Sequence, residues 1–424
     1  MQLQRSVAQK GLVRNLNHYV NYFSLKKNAT KSTNSYIMEP YVYKGDTIMY
    51  VVNYSDGGWQ LLSTDYRAPL VLVSSDTGTF NSGIDEHPYL NLIKNDLIKL
   101  HSTPFNSADV DESWKPVKLF NNEVDTKRIM RSPKALAPQP GEDGEWVLLE
   151  RTTPVLVERK CPARLITTSW NQEFPWNNYS PFLTESNKHA PTGCSAVALA
   201  QYLYYLHYKT GNPASTIDSA VYNVENNTYS YYGNSSTVWD LMAKRSNEDG
   251  TDYSAKFIGY VGKSCNAKYA KVDSIGTTIK RSAARAFLNS FGYSYYLADI
   301  DYSYVTGKLE SGNPVIAFAS CTKGCGNHTY IIDGYERTVF KSTNTYGWVG
   351  KDIYGNDSND YDDEGNIVGY AFTYEDEVTT THLLYMMNWG YPEKDNNLKF
   401  SVGGNWKAGG HFFNAGRMIF KENS

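Results

Sequence analysis

Cys194 stands directly after Gly193 and directly before the run SAVALAQYL, so a thiol sits where a helix is expected to begin. A thiol attacks a carbonyl as its thiolate, and a helix N-terminus or a nearby imidazolium lowers its pKa. Position supplies the first of these. Pro191 and Thr192 precede it as cap and turn, and Gly193 allows close approach of the backbone to a substrate. The same stretch also reads as a small apolar side chain packing like alanine, since buried structural cysteines are common. The choice depends on whether the rest of the chain supplies a base, a residue to orient it and a donor for an oxyanion.

The base is His328, in GCGNHTYIIDGY, where it opens a strand after a glycine-rich turn and can project from a sheet edge towards a cleft. It lies 134 residues after Cys194 (328 minus 194), within the broad separation at which a cysteine and a histidine meet across two halves of a domain. Among the other histidines, His207 falls on a helical stripe and reads as packed, while His382 and His411 start or flank strands and read as structural. YMMNWGY offers the third member. An imidazole that serves as base and then acid needs its second nitrogen held, and the Asn388 side-chain oxygen accepts an N–H without adding charge. Trp389 beside it is placed either to shield that hydrogen bond or to fill a core. TSWNQEFPWN supplies Gln172 as a side-chain amide for a developing oxyanion, with Asn171 as the competing choice.

These residues need elements to hold them. CSAVALAQYLYYLHYKTGNP carries Ala196, Ala200, Leu203 and His207 on one stripe and is stopped by Gly211 and Pro213, which predicts a buried helix. Residues 313–320, 328–335, 382–389 and 416–420 read as strands. One long helix ahead of several strands is the order of an α+β fold, over roughly 155–424. Upstream, residues 5–25 and 88–102 carry apolar positions at helical spacing, and 46–80 reads as an antiparallel meander with a hairpin at Asp56-Gly57-Gly58. That predicts a small α+β unit over residues 1–125. DTKRIMRSPKALAPQPGEDGEW has three prolines, two glycines and clustered Lys and Arg without either periodicity, which marks 126–154 as a linker open to proteolysis.

The order of motifs resembles the streptopain family of bacterial papain-like cysteine peptidases. It runs Trp170-Asn171-Gln172, Pro175-Trp176-Asn177, Thr192-Gly193-Cys194 with Ala198 and Gln201, His328 with Ile332-Asp333-Gly334, and Asn388-Trp389-Gly390. The match covers about 155–420, and APLVLVSSDTGTF more loosely resembles a strand of that family's prodomain. The resemblance implies a papain-like catalytic domain, helical part plus antiparallel sheet, with Cys194 as nucleophile and His328 as general base and acid. It implies Gln172 in the oxyanion hole, Asn388 and Trp389 orienting and covering His328, and residues 1–125 as an inhibitory prodomain that makes the chain a zymogen. Cleavage is then expected at Lys127, Arg128, Arg131 or Lys134, or further on at Arg151, Arg159 or Lys160. Substrates are proteins or peptides, no metal or organic cofactor is needed, and the site is that of a secreted or surface-exposed enzyme. An acyl-transferring amidase or transglutaminase, and a non-catalytic binding protein on a peptidase scaffold, are the alternatives.

Two segments depart from that family. Gly390 leads into YPEKDNNLKFSVGGNWKAGGHFF where a second Trp-Gly-Gly is typical, so the loop over the cleft is expected to differ. Residues 338–377 form an excursion whose Asp360, Asp362, Glu364 and Gly365 resemble the start of a calcium loop; Ala371 stands where its bidentate glutamate belongs, which favours a solvated hairpin. Cys321 and Cys325 flank the turn before His328, as a disulfide or as free thiols, and no second pair of ligands makes a zinc site with them.

The whole chain sets the outer bounds. A net charge of −3, with 41 basic and 44 acidic residues, gives no electrostatic footprint for nucleic acid. No run approaches the roughly 18 apolar residues of a membrane span, and the first twenty residues lack the apolar core of a signal peptide, so if the protein is secreted its signal is expected to have been removed. The 35 tyrosines suit a polar, β-rich protein, and five cysteines leave at least one unpaired.

Overall fold

In a computed structural model the chain is described over residues 36–80, 140–152, 154–210, 220–224, 227–231, 236–270, 276–320, 327–352, 356–391, 399–401, 406–408, 411–413 and 418–422, and at Leu16, Tyr19, Val20, Leu97, Ile98, Leu100 and Trp114. At its centre is an antiparallel sheet of twelve strands. The N-terminal unit contributes β1 (Tyr36–Tyr43), β2 (Asp46–Tyr54), β3 (Trp59–Ser63) and β4 (Val71–Ser75), which form the expected meander. The turn between β2 and β3 passes through Gly57 and Gly58, both near φ +90°, a conformation a side chain would strain. Leu16, Tyr19, Val20, Leu97, Ile98 and Leu100 are helical, within the two stretches of helical spacing.

The other strands are β5 (Pro140–Arg151), β6 (Val155–Lys160), β7 (Tyr295–Asp299), β8 (Val315–Ser320), β9 (Asn327–Asp352), β10 (Thr373–Asn388), β11 (Lys399–Ser401) and β12 (Met418–Glu422). Their order is β1-β2-β3-β4-β11-β10-β9-β8-β12-β7. β9 is the spine: β10 runs along one edge, and β8, β6 and β5 follow one another along the other. Successive residues of a strand face opposite ways, so β9 carries two separate cores. Ile331 faces α1 (Cys194–Thr210), which also packs on Ile316 and Phe318 of β8 and on Phe257, Ile258 and Val261 of α3 (Thr251–Ser264). Tyr330 and Ile332 face the other way, into Tyr385, Met387, Trp389 and Leu309 of α5 (Tyr302–Glu310). Two further short helices, α2 (Ser236–Leu241) and α4 (Arg281–Asn289), complete the helical part.

The N-terminal unit is sewn into the same sheet. β11 pairs β10 through Tyr385 and Phe400 and pairs β4 through Phe400 and Val73. Ile48, Met49, Val51, Leu61 and Val73 consequently share one apolar core with Tyr385, Met387 and Trp389. An ion pair spans this joint. Lys399, 2% exposed, has its Nζ 2.5 Å from Asp76 of the N-terminal unit and 2.5 Å from Glu336 of β9. Burial opposes its charge, but Glu336 and Asp76 prevail and hold its pKa above the usual lysine value.

The structure departs from the sequence expectation in the linker and in the helices, while the excursion is a hairpin as expected. Within the expected linker 126–154, residues 140–151 form β5, antiparallel to β9 with Trp146 opposite Trp348; the basic residues 127–134 lie outside the described residues. The excursion 338–377 is the far half of the β9–β10 hairpin, Thr338 opposite His382 and Gly347 opposite Thr373, and Trp146, Tyr346 and Trp348 form a small core of its own. There the Asp362 carboxylate accepts the backbone N–H of Glu364 and of Asn366. The helices α2 to α5 are not anticipated by the apolar spacing. Among the described residues, no helix is long and apolar enough to cross a membrane.

Candidate active site

α1 begins at Cys194 itself. Gly193 before it has φ +93°, and a Cβ there would approach Thr277 Cγ2 to 2.9 Å, so glycine is required by both conformation and space. On the other side the Thr192 N–H donates to the Gln172 carbonyl at 3.1 Å, which ties the turn before the thiol to the loop carrying Gln172.

His328 comes to Cys194 from the start of β9. The next residue along, Thr329, donates its backbone N–H to Cys194 Sγ at 3.3 Å. His328 is 4% exposed, and its Nε2 lies 2.7 Å from the carbonyl oxygen of Trp389. A carbonyl only accepts, so Nε2 carries the hydrogen, and Nδ1 is left to exchange a proton with the thiol. The Tyr391 ring stacks on the imidazole, with centroids 5.0 Å apart at 13°. The Trp389 ring sits 5.6 Å away and is itself stacked on Tyr330.

The electrostatics single out one thiol. Burial alone would raise the Cys194 pKa, but the charge and hydrogen bond of His328, with the hydrogen bonds of Thr329, outweigh it and bring it down to about 7. Cys265 is pushed up to about 12 by burial, and burial also raises Cys161 in spite of Lys399. Of the three free cysteines described, Cys194 alone is poised to be a thiolate near neutral pH. Cys321 and Cys325 lie outside the described residues.

Asn388 is not placed as expected. Its Oδ1 accepts from Gln201 Nε2 at 3.2 Å and from the Gly390 N–H at 3.0 Å, and its Nδ2 donates to Gln201 Oε1 and the Thr168 carbonyl. The reason is register. Asn388 pairs with Ile331, and directly opposed residues share a face, so the amide lies on the α1 side of the sheet while the His328 ring lies on the other. The carbonyl of Trp389, one residue on, holds the imidazole instead.

Asn171 and Gln172 differ in what their side chains touch. Asn171 Oδ1 is occupied by the Glu173 N–H at 2.8 Å, whereas the half-buried Gln172 amide makes no hydrogen bond among the described residues. Of the rival histidines, His207 stacks flat on Trp239, and His382 packs against Phe340 and Tyr19. His411 lies in a short strand at His411–Phe413. Asp76, Cys161 and Glu336 bring three donor atoms within 4.8 Å of one another, but Lys399 Nζ sits among them and already supplies the positive charge. Thr329 and Tyr391 were not singled out in the sequence. The first is legible only as the neighbour of His328, and the second lies in the loop after Asn388-Trp389-Gly390.

A profile of the Peptidase C10 family matches residues 170–354, which contain Cys194 and His328. Streptopain of Streptococcus pyogenes is 24% identical over 338 residues, covering 71% of each chain. A mutant fragment of prointerpain A from Prevotella intermedia superposes with a TM-score of 0.49 at 16% identity, over 91% of this chain and 98% of that one. The active interpain A cysteine protease of the same organism gives 0.41 at 19% identity, over 61% of this chain and 93% of that one.

Proposed function

We propose that the chain is a streptopain-like cysteine peptidase, a secreted bacterial endopeptidase made as a latent zymogen; the match of residues 170–354 to the Peptidase C10 profile and the 24% identity to streptopain support the reading. The observation that carries this reading is the thiol at the first residue of α1, lowered to about 7 by a histidine whose far nitrogen is held by a backbone carbonyl.

The chemistry follows from the groups present. The Cys194 thiolate attacks the scissile carbonyl carbon, and the charge that builds on its oxygen meets the Cys194 N–H at the start of α1 and the Gln172 amide. Collapse of the tetrahedral adduct breaks the C–N bond, with His328 delivering a proton to the leaving amine. The same imidazole then takes a proton from water, which attacks the thioester and releases the acid and the thiol. No step requires a metal or organic cofactor.

The N-terminal unit, 1–125, is the inhibitory prodomain in this reading. Its strand against β11 and its carboxylate on Lys399 support that role, because both tie it to the sheet that carries His328. The pairing of β5 and β6 with β9 narrows the activating cut in this reading. Arg151 lies at the end of β5 and donates to Asn344, and Arg159 and Lys160 lie in β6 with Arg159 on Glu336. Cleavage there requires those strands to leave β9, so the cut falls before Pro140.

Incubating the full-length chain beside Cys194→Ala, with intact mass and N-terminal sequencing over time, tests the proposal. Self-cleavage before residue 140 followed by casein digestion is expected of the parent alone. A chain that neither cuts itself nor acts after limited treatment with a trypsin-like protease overturns it, as does transfer of the acyl group to added amines without peptide hydrolysis.

A further inference from the structure

We infer that the hydroxyls of Ser195 and Thr329 form a positioning pair for the nucleophile, in which Ser195 on α1 fixes Thr329 on β9 so that Thr329 presents its donors to the Cys194 sulfur. The inference rests on Cys194 being the nucleophile. Ser195 Oγ and Thr329 Oγ1 are 2.7 Å apart in a buried contact between the helix and the strand. The Thr329 N–H donates to Cys194 Sγ at 3.3 Å, so the strand residue that Ser195 holds is the one already on the sulfur.

The direction of these bonds is set by the acceptor at their end. A thiolate only accepts, so the Thr329 O–H turns towards Sγ and leaves its oxygen to accept the Ser195 O–H. The order is Ser195 Oγ–H to Thr329 Oγ1–H to Sγ, a buried series in which each bond polarises the next. A serine in a first helical turn ordinarily returns its oxygen to the helix's own backbone N–H groups; Ser195 reaches across to β9 instead. The alternation of β9 explains the geometry. His328 and Thr329 project to opposite faces, so the end of the strand is held between the imidazole side and α1. Of the groups around the sulfur, His328 on β9 is the titratable one and carries Tyr391 stacked on it. The first turn of α1 has no acidic residue, and Gln172 and Thr277 on the flanking loops are neutral.

The test is the pH dependence of Cys194 alkylation by iodoacetamide in the full-length chain, read by peptide mass mapping, in the parent, Ser195→Ala, Thr329→Val, the double variant and Thr329→Ser. Thr329→Val keeps the branched shape and the N–H and removes only the hydroxyl. Each single loss of a hydroxyl is expected to move the midpoint up by about half a pH unit or more, a fall of about threefold in thiolate at pH 6. The double variant is expected to move no further than the larger single change, because the hydroxyls act in series. Thr329→Ser keeps the parent's midpoint. Peptide hydrolysis is measured on the same variants after activating cleavage. Unchanged midpoints in both single variants of a chain that cleaves peptides overturn the pair alone, and should Thr329→Val not fold, Ser195→Ala decides. A parent whose Cys194 alkylates as described but which hydrolyses nothing after limited cleavage by a trypsin-like protease overturns the peptidase reading and leaves the pair standing.

Discussion

His328→Ala is expected to lower kcat/KM for a peptide substrate by about four orders of magnitude, roughly 5.5 kcal/mol of transition-state stabilisation. Two losses combine. The tetrahedral adduct has no acid for its leaving amine, and the thiol loses the imidazole that offsets its burial. Burial then remains as the larger influence, so the Cys194 pKa rises from about 7 and the thiolate fraction at neutral pH falls with it. Steady-state kinetics and the pH dependence of alkylation report the two losses separately. A variant within tenfold of the parent on both would assign the base elsewhere.

Arg164→Ala has the largest expected effect on stability, a loss of about 3 kcal/mol at neutral pH. Asp333 is fully buried on β9, five residues beyond His328, and Arg164 meets its carboxylate with Nη2 at 2.6 Å and Nε at 3.0 Å. Burial raises the Asp333 pKa even with Arg164 opposing it. Without the guanidinium the carboxyl is held higher still and takes up a proton on folding that the unfolded chain does not bind near pH 7. The deficit is therefore present at neutral pH and shrinks as pH falls towards the raised pKa that Asp333 has in the parent, below which both folded chains carry the protonated carboxyl. Urea unfolding at pH 7.5 and pH 5 checks the sign. A larger deficit at pH 5 would mean that Asp333 is not the buried charge at stake.

The elements that place the proposed nucleophile were legible because they are local. Gly193, Cys194 and the apolar stripe that follows fix where α1 begins, and the β-branched and aromatic runs at 315–320 and 328–335 identify the strand that carries His328 and its neighbour. What holds His328 was not legible, because it is a matter of register. Asn388 has the right chemistry in the right order, yet its pairing with Ile331 sends the amide to Gln201 and leaves a main-chain oxygen, invisible to residue type, on the imidazole. β5 was missed for a related reason. Its Pro, Gly and acidic residues give no strand signal, and it exists through hydrogen bonds to an edge of β9 about two hundred residues away in sequence. The short helices α2 and α4 carry too few turns for periodicity to declare them.

The central claim is that one thiol, Cys194, does the chemistry. Titrating the activated chain with a thiol-directed epoxide tests it most directly, because the opened ring leaves a stable thioether whose mass and position can be read. The account predicts one added inhibitor per chain, mapped to Cys194, with peptide hydrolysis falling in proportion and reaching zero at full labelling. Label at Cys161 or Cys265 as activity is lost, or hydrolysis that persists when Cys194 is fully labelled, would contradict it.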